Sequence, residues 1–253
     1  MNDARRSYER HIAPFARPFG ESTVRCALRG GLSPGVVLDH GAGTGLVTSL
    51  LLRRQPNLRV VALDPNADLL SALTSEQRCI RIVGTATELS VDCPQLDLIV
   101  SNLVLPFCAD AAGDLAAMRD RTSSTGRLVV TSLGAVEDVT PFHRFWSAAQ
   151  AVIPDAWEPG RYPHHRFGRV ESLVAVVEQS GWTVRTQHGV RGVRRISGTN
   201  AWTWLSSVLP VGVGEKYRAL RSDEHEAVRG EFLRLWASES RWVSRGWTVL
   251  ATA

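Results

Sequence analysis

The stretch from Val36 to Leu46, VVLDHGAGTGL, constrains this chain more than any other. It reads as a short apolar strand, an acid near the strand's carboxyl end, and glycine at every second position, Gly41, Gly43 and Gly45, before an apolar helix opens. Glycines at that spacing let backbone approach a ligand closely, and the helix start offers N–H groups that have no intrahelical acceptor. The stretch is a nucleotide-binding turn.

Spacing then separates the nucleotide classes. A dinucleotide fingerprint G-x-G-x-x-G counted from Gly41 requires glycine at position 46, where this chain has Leu46. A phosphate-cradling P-loop requires Lys and then Ser or Thr after the last glycine, and neither follows. The pattern that fits is acid-x-G-x-G-x-G, Asp39 to Gly45, which resembles the first motif of class I S-adenosylmethionine-dependent methyltransferases. The resemblance implies that Gly41, Ala42, Gly43 and Gly45 pass under the methionine part of the cofactor, with Asp39 helping to orient it. Leu58 to Leu63 reads as a second buried strand ending in Asp64-Pro65-Asn66. An acid there is placed to accept hydrogen bonds from both ribose hydroxyls, and Asp64 with Pro65 matches the family's ribose-binding turn. Read alone, Asp64 serves equally as a helix cap or turn acid.

A third strand, Ile80 to Val83, precedes GTATELSV. The family usually carries an adenine-contacting acid shortly after this strand. Thr85 and Ala86 stand there instead, leaving the Thr85 hydroxyl, backbone N–H groups and Glu88 as alternatives. The fourth strand, Leu96 to Ser101, leads into Ser101-Asn102-Leu103-Val104, the position of methyl transfer in the family. No N-P-P-Y or D-P-P-Y follows. The phrase SNLVLPF resembles the small-molecule branch that includes ubiquinone-biosynthesis and carrier-protein-carboxylate methyltransferases, and turns Phe107 towards the substrate.

The alternation of strand and helix up to a fifth strand, Gly126 to Ser132, requires right-handed crossovers and a parallel sheet. The fold class expected is α/β: a Rossmann-like seven-stranded, mostly parallel sheet with an antiparallel last strand, GWTVLATA, and helices on both faces. Strand six is expected at Trp182 to Val190. The chain is expected to form a single domain: an N-terminal helical lid (1–34), a cofactor-binding half (35–133) and a substrate-binding half (134–253) with a helical insertion over 191–245. Pro14 and Pro18 are expected to break the leader before a helix at Ser22 to Leu28. As a lid, the leader brings Tyr8, His11 and Phe15 towards the site.

All eight tryptophans follow residue 145. Trp146 and Trp202 are candidates for an aromatic acceptor pocket. Residues two apart on a helix lie about 200° apart, so of Trp202 and Trp204 one is expected in the core and the other at the pocket. Transfer from a sulfonium is an in-line displacement, for which positioning supplies roughly 7–11 kcal/mol. It needs neither a metal nor a covalent residue. Acceptors that must lose a proton need a base, for which His11, His143, His164 and His165 are candidates. His40, inside the glycine motif, is expected to face the neighbouring strand.

The four cysteines show no metal-ligand spacing and are expected to be reduced. The net charge of +4 is almost entirely arginine, Lys216 being the only lysine. Its densest group, Arg185 to Arg195, lacks the interleaved aromatics of a nucleic-acid platform and reads as solvated surface. There is no apolar run of about 18 residues and no signal-peptide core, so a soluble cytoplasmic protein is expected, without membrane or nucleic-acid partners. The function expected is methyl transfer from S-adenosylmethionine to a small biosynthetic or secondary metabolite, with S-adenosylhomocysteine as product. The alternatives are an acceptor borne on an acyl carrier protein docked through arginines, or a cofactor-assisted cyclisation or rearrangement on the same fold.

Overall fold

A computed structural model describes residues 6, 8–29, 35–73, 77–89, 93–154, 166–209, 211–237 and 241–253. Strands β1 (Val36–His40), β2 (Arg59–Asp64), β3 (Cys79–Val83), β4 (Leu96–Asn102), β5 (Thr122–Leu133), β6 (Thr183–Arg195) and β7 (Arg241–Thr252) form one sheet. Their order is β3-β2-β1-β4-β5-β7-β6. The first five are parallel, and β7 runs antiparallel to both β5 and β6.

Every residue of β1 is buried, because helices cover both faces of the sheet centre. That burial is why β1, β2 and β4 read as continuous apolar runs rather than alternating ones. On one face, α1 (Ala13–Ala27) and α2 (Leu46–Arg54) pack Val24, Leu50 and Leu51 against Val60, Leu98 and Val129. On the other, α4 (Ala111–Asp120) and α6 (Val170–Gln179) pack Leu115, Met118, Leu173 and Val177 against Leu38, Ile99 and Val130, while the short α3 (Ala67–Leu70) follows β2.

Two sequence expectations are corrected here. The leader is not broken at Pro14 and Pro18: after a π-helical turn at Tyr8–Ile12, α1 is one helix that runs through Pro18. Pro14 lies in the first turn, where its missing N–H has no intrahelical acceptor in any case. Pro18 forgoes one hydrogen bond, but its ring lies over Gly192 of β6, where an added Cβ would stand 3.1 Å from Pro18 Cγ. Burial of Phe19, Val24 and Cys26 then holds the helix in place, since tertiary packing outweighs local propensity.

The second correction concerns the strands. β6 and β7 continue past the sheet as a two-stranded ribbon in which 191–195 pair with 241–245, so the insertion spans 196–240 rather than 191–245. Arginine and glycine dominate 191–195, and backbone pairing rather than apolar patterning makes that segment a strand. Within the insertion lie α7 (Gly198–Val208), α8 (Val211–Arg218) and α9 (Ser222–Ala237), packed on α5 (Thr140–Val152). Phe145, Trp202, Phe232 and Trp236 form their common core, and the buried Arg144 lays its guanidinium 4.6 Å over the Trp236 ring. Among the described residues no helix is long and apolar enough to cross a membrane.

Phe19 is fully buried between α1 and Gly246 of β7. Phe19→Ala is expected to lower unfolding free energy by roughly 3–5 kcal/mol in urea titrations, by loss of transfer free energy and creation of a cavity.

Candidate active site

The glycine turn leaves β1 with Gly41, Gly43 and Gly45 all at positive φ (68°, 56° and 86°), a region that L side chains rarely adopt. A Cβ at Gly41 would overlap Val104, so glycine is required there by space as well as by φ. Two buried carboxylates fix the turn. Asp39 Oδ2 accepts from Thr48 N (2.8 Å) and Thr48 Oγ1 (2.6 Å), capping the first turn of α2 from within the sheet. Asp64 Oδ2 accepts from Gly43 N (2.8 Å), and its Oδ1 accepts from Asn66 N (2.8 Å). Asn66 in turn caps α3 by accepting from Leu69 N at 3.2 Å. Ala42 is buried and donates its N–H to Leu63 O, 2.9 Å away.

Burial pushes the Asp39 carboxyl up to about 7, against the lowering effect of its Thr48 hydrogen bonds, and the nearby Asp64 charge raises it further.

Next to the turn, β4 ends in Asn102 and Leu103. Leu103 is the non-glycine residue held at positive φ (63°), with its N–H donated to Thr131 O at 2.8 Å. Strain of this kind persists where surrounding structure imposes it and concentrates at functional sites. On α1 the Thr23 hydroxyl has Phe19 O (3.0 Å) and Asn102 Oδ1 (3.2 Å) as alternative acceptors for its one proton, and it lies 2.6 Å from Thr131 Oγ1, itself 2.9 Å from Thr248 Oγ1. The Asn102 carboxamide also carries two N–H donors at the cavity wall.

The cavity, of about 500 Å³, runs without a break from the glycine turn to the aromatic insertion. Gly41, Asp64, Pro65 and Leu69 line it from the turns after β1 and β2, Asn102, Leu103, Val104 and Phe107 from the end of β4, and Phe15, Phe142 and Trp204 from an aromatic cluster. Its wall is predominantly apolar, and Asp64 is the one titratable group among its described lining residues. Phe107 stands at the rim, 62% exposed. Trp204 is anchored by donating Nε1–H to His11 O (2.6 Å), with its ring centroid 5.4 Å from Phe15 and 5.7 Å from Phe142.

Of the residues singled out in the sequence, the structure brings Gly41, Asp64, Pro65, Asn102, Phe15 and Phe107 to this cavity. Of the other described candidates, none is among its lining residues. Trp202 and Trp146 are buried in the core that α5 shares with the insertion, and Trp204 takes the cavity position in place of Trp202. His143 is exposed on α5, while His11 is half-buried and meets the cavity wall only through its carbonyl bond to Trp204. Thr85 forms a capping box with Glu88, whose Oε2 accepts from Thr85 N (2.8 Å) and Thr85 Oγ1 (2.9 Å); Ala86 is buried. His164, His165 and the Tyr8 side chain lie outside the described residues. Ser101 is buried and, as the register expected, faces His40, with Oγ 3.1 Å from Nδ1.

Beneath the turn the fold joins what spacing did not show. One ligand-type atom from each of His40, Cys108 and Asp114 lies within 4.8 Å of the others. Burial lowers the His40 pKa, and burial followed by the Asp114 hydrogen bond pushes the Cys108 thiol up to about 12. Both groups are neutral at pH 7.

Sheet order, glycine turn and the acid closing β2 together make a Rossmann-like α/β fold with an antiparallel β7. Residues 38–130 match the family model described as a methyltransferase domain. Over 123 residues the chain is 30% identical to a malonyl-[acyl-carrier protein] O-methyltransferase of Xylella fastidiosa, covering 47% of this chain and 41% of that protein. A Priestia megaterium protein of the same name is 25% identical over 147 residues, covering 57% and 52%. The chain thus spans about half or less of the length of these curated relatives. Among solved structures, a Bacillus halodurans protein assigned as a methyltransferase superposes with TM-score 0.60 at 12% identity, covering 92% of this chain and 97% of that one. One from an antibiotic biosynthesis pathway of Anabaena variabilis gives 0.59 at 17% identity, covering 94% and 99%. Residues 38–130 thus match a methyltransferase domain, and the chain as a whole shares the fold of these structures.

Two outcomes follow from this geometry. Asp39 has a folded-state pKa of about 7, above the value of about 4 in an unfolded chain. As pH rises between these values the unfolded chain loses its proton first, so this group lowers stability from about pH 4 to pH 7 and adds no slope above. Asp39→Asn keeps an acceptor for Thr48 and is expected to flatten that part of the Tm profile. Thr23→Val removes the hydroxyl within hydrogen-bond distance of Asn102 Oδ1. It is expected to lower turnover several-fold with cofactor affinity unchanged, and Thr23→Ser to restore it.

Proposed function

We infer that the protein transfers a methyl group from S-adenosylmethionine to a small acceptor held in the aromatic end of the cavity. The observation that carries this reading is the continuity of one cavity from the glycine turn and Asp64 to the wall of Phe15, Phe142 and Trp204. The residues fit the cofactor on their own terms. The Asp64 oxygens each hold one backbone N–H and retain further lone pairs towards the cavity, as ribose hydroxyls require. Gly41 lines the cavity at a positive φ that glycine adopts freely, so its backbone is presented to a ligand. The cofactor supplies the electrophilic methyl group. Asn102 offers a donor at the end of β4, and the apolar wall removes water from the nucleophile.

Among the described lining residues no base faces the acceptor, since Asp64 is assigned to the ribose. An acceptor that arrives as an anion, such as a carboxylate, needs none. Where the acceptor must lose a proton, His164 and His165 remain the proposed bases. A carboxylate acceptor also suits a second reading, an acyl group presented on a carrier protein, which is favoured by the names of the Xylella and Priestia relatives.

Methyl-labelled S-adenosylmethionine, incubated with the protein and a panel of free and carrier-bound carboxylic acids, is expected to label a methyl ester; product without label supports a rearrangement instead. Asp64→Ala is expected to weaken S-adenosylhomocysteine binding by roughly 10- to 100-fold in calorimetry, the effect of losing hydrogen bonds to a charged acceptor.

A further inference from the structure

The β6–β7 ribbon pairs Arg191 with Arg245, Val193 with Val243 and Arg195 with Arg241. Directly paired residues of an antiparallel ribbon project from the same face. Exposure follows the alternation except at Arg194: Arg191, Val193, Arg195, Arg241 and Arg245 are exposed and Val243 half-buried, Gly192, Trp242 and Ser244 are buried, and Arg194 is exposed on the other face with its guanidinium 5.7 Å over the Trp242 ring. One face therefore carries four arginines in two directly opposed like-charge pairs around a valine pair, with Val193 49% exposed.

Like charges set directly opposite each other destabilise a ribbon. Among the described residues compensation is slight: the one carboxylate among them within ion-pair distance of these four guanidiniums is Asp138, 3.8 Å from Arg245. The opposite face of the same ribbon is structural. Trp242 stacks edge-on to Trp204 at 4.2 Å and lies 5.7 Å from Phe15, both in the cavity wall. Arg245 O accepts from Gly134 N at 2.9 Å, one residue from the cavity-lining Leu133. Two strands thus separate the acceptor end of the cavity from the arginine face.

We propose that this face docks the acidic surface of a carrier protein that delivers the acceptor to the cavity. The inference rests on the carrier-bound reading of the proposed function. Guanidinium groups bind carboxylates in paired geometry and steer an acidic partner from a distance. A valine centre with a charged rim suits a protein partner. A nucleic acid is disfavoured because the nearest aromatic on this face, Trp247, is half-buried and donates its Nε1–H to Gly168 O at 3.2 Å, leaving no stacking platform.

The test uses the full chain and purified malonyl-loaded acyl carrier protein in calorimetry, without cofactor. Binding is expected to weaken about tenfold between about 50 and 300 mM sodium chloride, and about tenfold or more in Arg191→Glu/Arg195→Glu. The control Arg53→Glu/Arg54→Glu, an equal charge change at exposed positions on α2, is expected to bind within about twofold of the parent. In the ribbon variant each new glutamate faces an arginine, so its Tm is expected to rise by about 1–3 °C, which excludes misfolding as the cause of lost binding. S-adenosylhomocysteine binding should be unchanged. Carrier binding equal in the ribbon variant and the parent overturns the proposal. So does methylation of free acids by a parent protein that binds no carrier, which leaves methyl transfer itself standing. Ribbon-dependent binding of a labelled single-stranded oligonucleotide, with none of the carrier, overturns it in favour of a nucleic-acid partner.

Discussion

The carboxylate of Asp64 joins two turns that the rest of the site depends on. One oxygen holds the N–H of Gly43 in the glycine turn; the other holds the N–H of Asn66, which caps the next helix. Both turns are held by bonds within the protein, and the same carboxylate stands in the cavity wall. Asp39 performs the parallel task one strand over, where Thr48 supplies the only two hydrogen bonds described for it. Two acids, each at a strand's carboxyl end, therefore hold backbone N–H groups where a parallel sheet opens and a ligand can enter.

The acceptor half is built by different means. Its wall comes from α1, α5 and α7, elements far apart in sequence, fastened by ring packing and by single indole hydrogen bonds such as Trp204 to His11. The polar chain Asn102, Thr23, Thr131, Thr248 threads between α1 and the sheet, so α1 both covers the cavity and sets a hydroxyl within hydrogen-bond distance of a cavity residue. The arginine ribbon is continuous with this half through Trp242, which links the outer surface to the wall by direct packing.

What was legible in the sequence is what depends on local pattern. Val36 to Leu46 and Leu58 to Pro65 are buried strand followed by turn, and their apolar runs and glycine spacing mark them without reference to other elements. Thr48, Thr23 and the strained Leu103 carry no such mark, since a single threonine or leucine in an apolar run is ordinary and only its partners give it a role. Helical phase rightly separated Trp202 from Trp204, yet it cannot say which side faces a cavity made by α1, and Trp204 took that place. Pro18 predicted a break, which the buried Phe19 beside it overrides. His40, Cys108 and Asp114 come from a strand, a loop and a helix, and only the fold brings them together.

A crystal structure with S-adenosylhomocysteine bound tests this arrangement most directly. The expected result is a ribose with its hydroxyls within hydrogen-bond distance of Asp64, the homocysteine part over Gly41 and Gly43, and the sulfur facing the space between Asn102 and Trp204. A nucleoside seated away from Asp64, or protein that takes up no cofactor at millimolar concentration, contradicts it.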